Sequence, residues 1–134
     1  MHRSLLLWLL AGMGFIPVGT GLVSILLGPD LSPGGEALNA SLDSEYRFLS
    51  VVWLSVGVIL WWSLLEPARR AAVTRTILVV CALGGLGRIL PAVEQGLPHP
   101  VFVMAWVLEL AVLPFVIWWH ARAYPVPTPT RATA

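Results

Sequence analysis

Four apolar stretches of about twenty residues, the length a helix needs to cross the hydrocarbon core of a bilayer, run through this chain. They lie near Ser4–Leu27, Asp43 or Ser44–Leu65, Ala71–Leu90 and Val101–Ala121. The second and third connections are short, which favours antiparallel neighbours. The expected fold is all-α, a transmembrane antiparallel four-helix bundle.

The composition excludes a soluble alternative. Hydrophobic residues make up 57% of the 134-residue chain and charged residues only 11%, against about 25% charged in an ordinary soluble domain. A soluble fold of this size has too little interior to hide that much apolar surface. One membrane domain is expected to fill residues 1–122. Residues 123–134 read as a proline-rich, disordered tail carrying Pro125, Pro127 and Pro129.

Met1-His2-Arg3 followed by Leu5–Leu10 resembles the start of a signal peptide. The apolar run continues through Pro17 to Leu27, past the usual limit of about 15 residues, and no small-x-small cleavage site ends it. It reads as a retained helix. Gly12, Gly14, Gly19 and Gly21 lie on it, small residues of the kind that let membrane helices approach closely.

Polar segments separate the helices. Gly28-Pro29 closes the first, and Asp43 or Ser44 is placed to cap the second. Glu66-Pro67 closes the second, and Pro91 lies near the end of the third. Glu94 to Pro100 reads as a turn.

All eight basic residues are arginines, a mark of a GC-rich genome that bears on source rather than function. Arg3, the group Arg69, Arg70 and Arg75, and the pair Arg122 and Arg131 fall on one side of a four-helix chain. The first and third connections carry acidic residues and no arginine. The positive-inside rule then places both termini in the cytoplasm. Trp61, Trp62, Trp118 and Trp119 fall near the same ends, where an aromatic belt is expected.

Two residues of opposite charge stand inside the spans, Arg88 in the third and Glu109 in the fourth. An ionised side chain at such a position costs about 2.5–3.5 kcal/mol on insertion scales, so it needs a partner and marks a candidate site. Glu109 lies about 13 Å into its helix, at 1.5 Å per residue. Asp43, Glu45 and Arg47 open the second helix from the same outer side. Arg88 is expected to find a carboxylate of Glu109, Glu45 or Asp43. Tyr46, Ser50, Trp53 and Ser55 on the second helix are further candidate donors.

Other motifs are excluded. Gly84-Gly85-Leu86-Gly87-Arg88 lacks the preceding strand and the lysine of a phosphate loop. Cys81 is the sole cysteine, so neither an internal disulfide nor a CxxC motif is available. His2 and His120 fall at the opposite membrane interface from His99, so no metal site is expected, nor any cofactor. Without a basic run, nucleic acid is not an expected partner.

Asp43-Ser44-Glu45-Tyr46-Arg47-Phe48, Gly84-Gly85 with Arg88, and the lone Glu109, in this order across four helices, resemble the bacterial domain-of-unknown-function 4345 family. The likeness runs from the first helix to His120. It implies a small four-helix integral membrane protein and no established activity; the expected location is the bacterial inner membrane.

Three functions compete. In the first, a small amphipathic or lipid-like molecule binds in an outward-facing cavity, with Arg88 and Arg47 on an anionic or carbonyl head and Glu109 orienting Arg88. Glu45 and Asp43 complete that cluster. In the second, an enzyme uses Glu109 as general acid or base on such a substrate. In the third, the chain is an accessory subunit, docking on another membrane protein or a second copy through small residues of the first helix. Transport by inverted repeats needs two copies to pair.

Overall fold

The computed structural model describes residues 2–125. Helix α1 (Arg3–Leu27) leads through a short 3-10 turn (Pro29–Leu31) to α2 (Ala40–Leu64). The third span is α3 (Ala71–Gly87) and α4 (Ile89–Gln95), separated by a break at Arg88. The fourth comprises α5 (Pro100–Val107), a π-helical turn (Leu108–Val112) and α6 (Leu113–Ala123). Four spans of 24 or 25 residues are long and apolar enough to cross a membrane, and no strand occurs among the described residues. Contacts near both ends of each pair show neighbouring spans running antiparallel: Arg47 to Ile25 and Trp61 to Ala11, then Arg88 to Glu109 and Arg75 to Tyr124. This is an antiparallel four-helix bundle.

Three boundaries differ from expectation. Helix α2 begins at Ala40, before Asp43 and Ser44, because the Asn39 side chain accepts from the backbone N–H groups of Ser41 and Leu42. The third span continues past Pro91 to Gln95. The break at Arg88 puts Pro91 in the first turn of α4, where a missing N–H leaves no bond unmade. Glu94 and Gln95 are therefore helical, and the turn starts at Gly96, whose φ of 90° suits glycine. Tyr124, expected in the tail, is buried in the core, and its carbonyl accepts from Arg75 at 3.0 Å. The tail from Val126 onward lies outside the described residues.

Helices α1 and α2 pack along their whole length through small residues. A Cβ on Gly14 would strike the Trp61 indole, and one on Gly57 would lie 2.8 Å from the Gly14 carbonyl oxygen. Backbones can approach this closely only where side chains are absent. Trp61 Nε1 donates to the Ala11 carbonyl at 2.9 Å across the same contact.

The α1–α2 hairpin meets the other two spans mainly at one end, which carries the described chain ends and the α2–α3 connection. The core there comprises Leu6 and Leu10, Ala71 and Leu78, and Leu113, Val116, Trp119 and Tyr124. Ser63 and Thr74, both fully buried, join α2 to α3 by a 2.8 Å hydrogen bond. At the opposite, distal end, α4 and α5 contribute no buried residue.

The aromatic residues divide. Trp62 and Trp118 are exposed, with the guanidinium groups of Arg70 and Arg122 at 3.9 and 4.3 Å from their ring centres. Trp61 and Trp119 instead turn inward, because α1 and the core offer them space. His120, expected at the interface, is also fully buried.

Candidate functional site

Both intramembrane charges sit where a proline disturbs a helix. Proline cannot donate to the carbonyl four residues earlier, and its ring crowds that carbonyl. Pro91 therefore interrupts the third span just before it, and Arg88 occupies the break. Pro114 acts likewise on the fourth span, and the preceding turn widens to a π-helix that carries Glu109. Such π turns within α-helices recur at functional sites.

The two side chains form a fork. Arg88 Nε donates to Glu109 Oε2 at 2.8 Å, and Nη2 donates to Oε1 at 3.0 Å. This bidentate geometry is the strong form of an arginine–carboxylate pair. The carboxylate is the more enclosed partner, with side-chain exposures of 38% for Arg88 and 12% for Glu109. Gly85 makes the approach possible, since a Cβ there would fall 2.9 Å from that of Glu109.

Glu109 engages two of the five N–H donors of a guanidinium. The other three have no partner among the described residues. Arg88 lines an open pocket of about 370 Å³ with Pro91, Gln95, Leu97, Pro98 and Phe102. Glu109 also borders an apolar groove of about 250 Å³ between α3 and the fourth span, lined by Leu83, Leu86 and Ile117.

The other candidates lie apart from this pair. Arg47 Nε donates to both oxygens of Asp43, at 3.2 and 3.1 Å, and Nη1 donates to the Ile25 carbonyl at 2.5 Å. Its guanidinium thus fastens α2 to the end of α1. Glu45 is exposed and has no ion pair among the described residues. Tyr46 shares hydrogen bonds with Ser24 and Ser32, at 3.0 and 2.6 Å, again joining α1 and its turn to α2. Ser50 and Ser55 donate to carbonyls of their own helix, and Trp53 donates to Thr20. The structure therefore brings together Arg88 and Glu109, and places Asp43, Glu45 and Arg47 in a separate group.

Gln95 and Phe102 line the Arg88 pocket without having been singled out from sequence. Gln95 follows Arg88 by two helical turns and so shares its face, a signal visible in the spacing. Among the described residues no group of three or more His, Cys, Asp or Glu could hold a metal ion.

Fold and ion pair together define a small multi-pass helical membrane protein. The family model described as Domain of unknown function (DUF4345) matches residues 5–120, and the chain belongs to that family. No curated protein and no solved structure matches it.

Proposed function

We propose that this protein binds a small amphipathic, lipid-like molecule at the Arg88–Glu109 pair. The observation that carries the reading is the partly exposed side chain of Arg88, held in a bidentate fork by Glu109, with three donors that have no partner among the described residues and an open pocket beside it. A donor set inside a membrane is costly to leave without acceptors, and a ligand head supplies them. The arginine asymmetry supports a cytoplasmic location for both termini, in the inner membrane of a bacterium. The pocket then opens toward the outside.

The test is retention of endogenous amphiphile through purification in a mild detergent, read by native mass spectrometry. The wild-type protein is expected to carry a ligand that the Arg88→Leu/Glu109→Leu double variant does not. Equal retention by both ends this reading.

A second reading has one observation in its favour. Gly12 and Gly19 of α1 face open space, with no atom within 4 Å of a Cβ built on either. Open small residues suit docking of a further membrane helix, as in an accessory subunit. Loss of a co-purifying membrane protein on Gly12→Leu, with ligand retention unchanged, favours that role.

A further inference from the structure

Resting on that reading, we infer that the ligand's head is a neutral hydrogen-bond acceptor, such as a ketone, quinone or ester carbonyl, rather than an anion. Arginine in a pocket ordinarily suggests a carboxylate or phosphate. Here the guanidinium already holds a carboxylate in a bidentate fork, with contacts of 2.8 and 3.0 Å. The pair is neutral as a unit. Nε and one proton of Nη2 belong to the edge facing Glu109. The outer end, with one proton of Nη1 and the second of Nη2, and the Cδ side, with the other Nη1 proton, present only donors.

A second anion on that end would lie within a few ångströms of the Glu109 carboxylate. It would also give up its hydration for a partner whose charge is already matched, and desolvating an ion is expensive. The wider field has the same sign. Once Arg88–Glu109 and Arg47–Asp43 are paired off, the remaining formal charges at the distal end at pH 7 are Asp30, Glu36, Glu45 and Glu94, with His99 counted neutral and no arginine or lysine to offset them. Anions are repelled from this mouth at low ionic strength.

A carbonyl oxygen suits the site better. It accepts two hydrogen bonds, carries no charge to desolvate, and gains from a charged donor. The pocket offers a further donor in the Gln95 side-chain amide and apolar walls in Pro91, Pro98 and Phe102 for the atoms around the carbonyl. Cationic heads are refused by the same geometry, since the guanidinium end presents only N–H groups.

The experiment compares probes built on a twelve-carbon chain, dodecan-2-one, laurate and dodecyltrimethylammonium, on the detergent-solubilised full chain. Binding to the Arg88→Leu/Glu109→Leu variant is subtracted as micelle background. The ketone is expected to bind the wild type at least about tenfold more tightly than laurate, because laurate alone gives up the hydration of an ion and meets the acidic mouth. Its carbonyl stretch should move to lower frequency in the wild type and not in the double variant. In Glu109→Gln, where Arg88 loses its counter-charge, preference should pass to laurate. Wild-type preference for laurate or for the ammonium probe overturns the neutral-acceptor inference and leaves a ligand site standing. If no probe distinguishes the wild type from the double variant, the binding reading falls with it. Protein-free micelles supply the same background, so the wild-type ranking of the probes stands even where the variant misfolds.

Discussion

Gly85 faces Glu109 so closely that a Cβ on the glycine would lie 2.9 Å from the Cβ of the glutamate. The α3 backbone therefore rests on the π-helical turn, and the carboxylate reaches Arg88 without stretching. Gly84 and Gly87, its neighbours in the same run, have open space where a Cβ would stand. Gly85→Leu should drive the two spans apart and destabilise the bundle by about 1–3 kcal/mol, as overpacking does. Gly84→Ala and Gly87→Ala should leave stability unchanged or raise it by up to about 1 kcal/mol, since they remove backbone freedom at no steric cost. Thermal unfolding in detergent compares the three. Equal losses from all of them would show that the glycines act through helix flexibility rather than through this contact.

Pro114 acts on Glu109 from five residues away. If its substitution restores regular α-helix, the extra residue held in the π turn is released. Residues before it then rotate by about 100° relative to α6, one residue's share of a 3.6-residue turn. Glu109 would leave the fork. Pro114→Ala and Glu109→Leu should consequently be non-additive. Glu109→Leu alone leaves Arg88 without its partner, whereas in the Pro114→Ala background that bond is already lost. A coupling of about 1 kcal/mol or more in a double-mutant cycle is expected. Additive effects would mean that the π turn persists without the proline.

The spans were legible because hydropathy and length alone define them. Caps and breaks were less so. The first turn of α2 is polar at Ser41, Asp43 and Ser44, so the apolar pattern starts late and conceals Asn39 as the cap. Pro91 was visible, but its effect falls upstream, at Arg88, and so leaves the proline free to sit inside a new helix. Glu109 was one of three carboxylates open to Arg88. A uniformly apolar helix gives no periodicity from which its rotation can be read, so the choice depended on Gly85 and the π turn. Adjacent Trp61 and Trp62 illustrate the same limit. Both suit an interface by residue type, and only the gap at Gly14 decides which turns inward.

Ser63 and Thr74 form the one buried side-chain hydrogen bond between α2 and α3 among the described residues, at 2.8 Å. Ser63 Oγ also lies 2.7 Å from the Leu60 carbonyl, whereas Thr74 Oγ1 has only a long 3.4 Å contact to the Arg70 carbonyl, an arrangement that favours Thr74 as the donor between the two hydroxyls. Thr74→Val should cost about 0.6 kcal/mol and at most about 1.7 kcal/mol, the mean and the maximum for bonds between membrane helices. Adding Ser63→Ala should cost little more, because the acceptor it removes has already lost its donor. The melting temperatures of both single variants and the double variant measure this coupling. A double variant as unstable as the two losses added together would indicate that each hydroxyl is held by its own helix.

Orientation can be tested through the sole cysteine. Replacing Cys81, which is only partly buried and has no disulfide, with Ala gives a background free of thiols. Leu97→Cys then places a thiol on the distal turn, where the native side chain is 76% exposed. Ala68→Cys places one on the exposed α2–α3 connection without disturbing Arg69 or Arg70, which carry the topological signal. In intact bacterial cells a membrane-impermeant maleimide should label the cysteine at position 97 and leave that at position 68 unlabelled until the cells are opened. The reverse pattern would put the Arg88 pocket on the cytoplasmic side. Its ligand would then have to come from the cell interior, and the arginine asymmetry would have misled the assignment of sides while leaving the fork itself untouched.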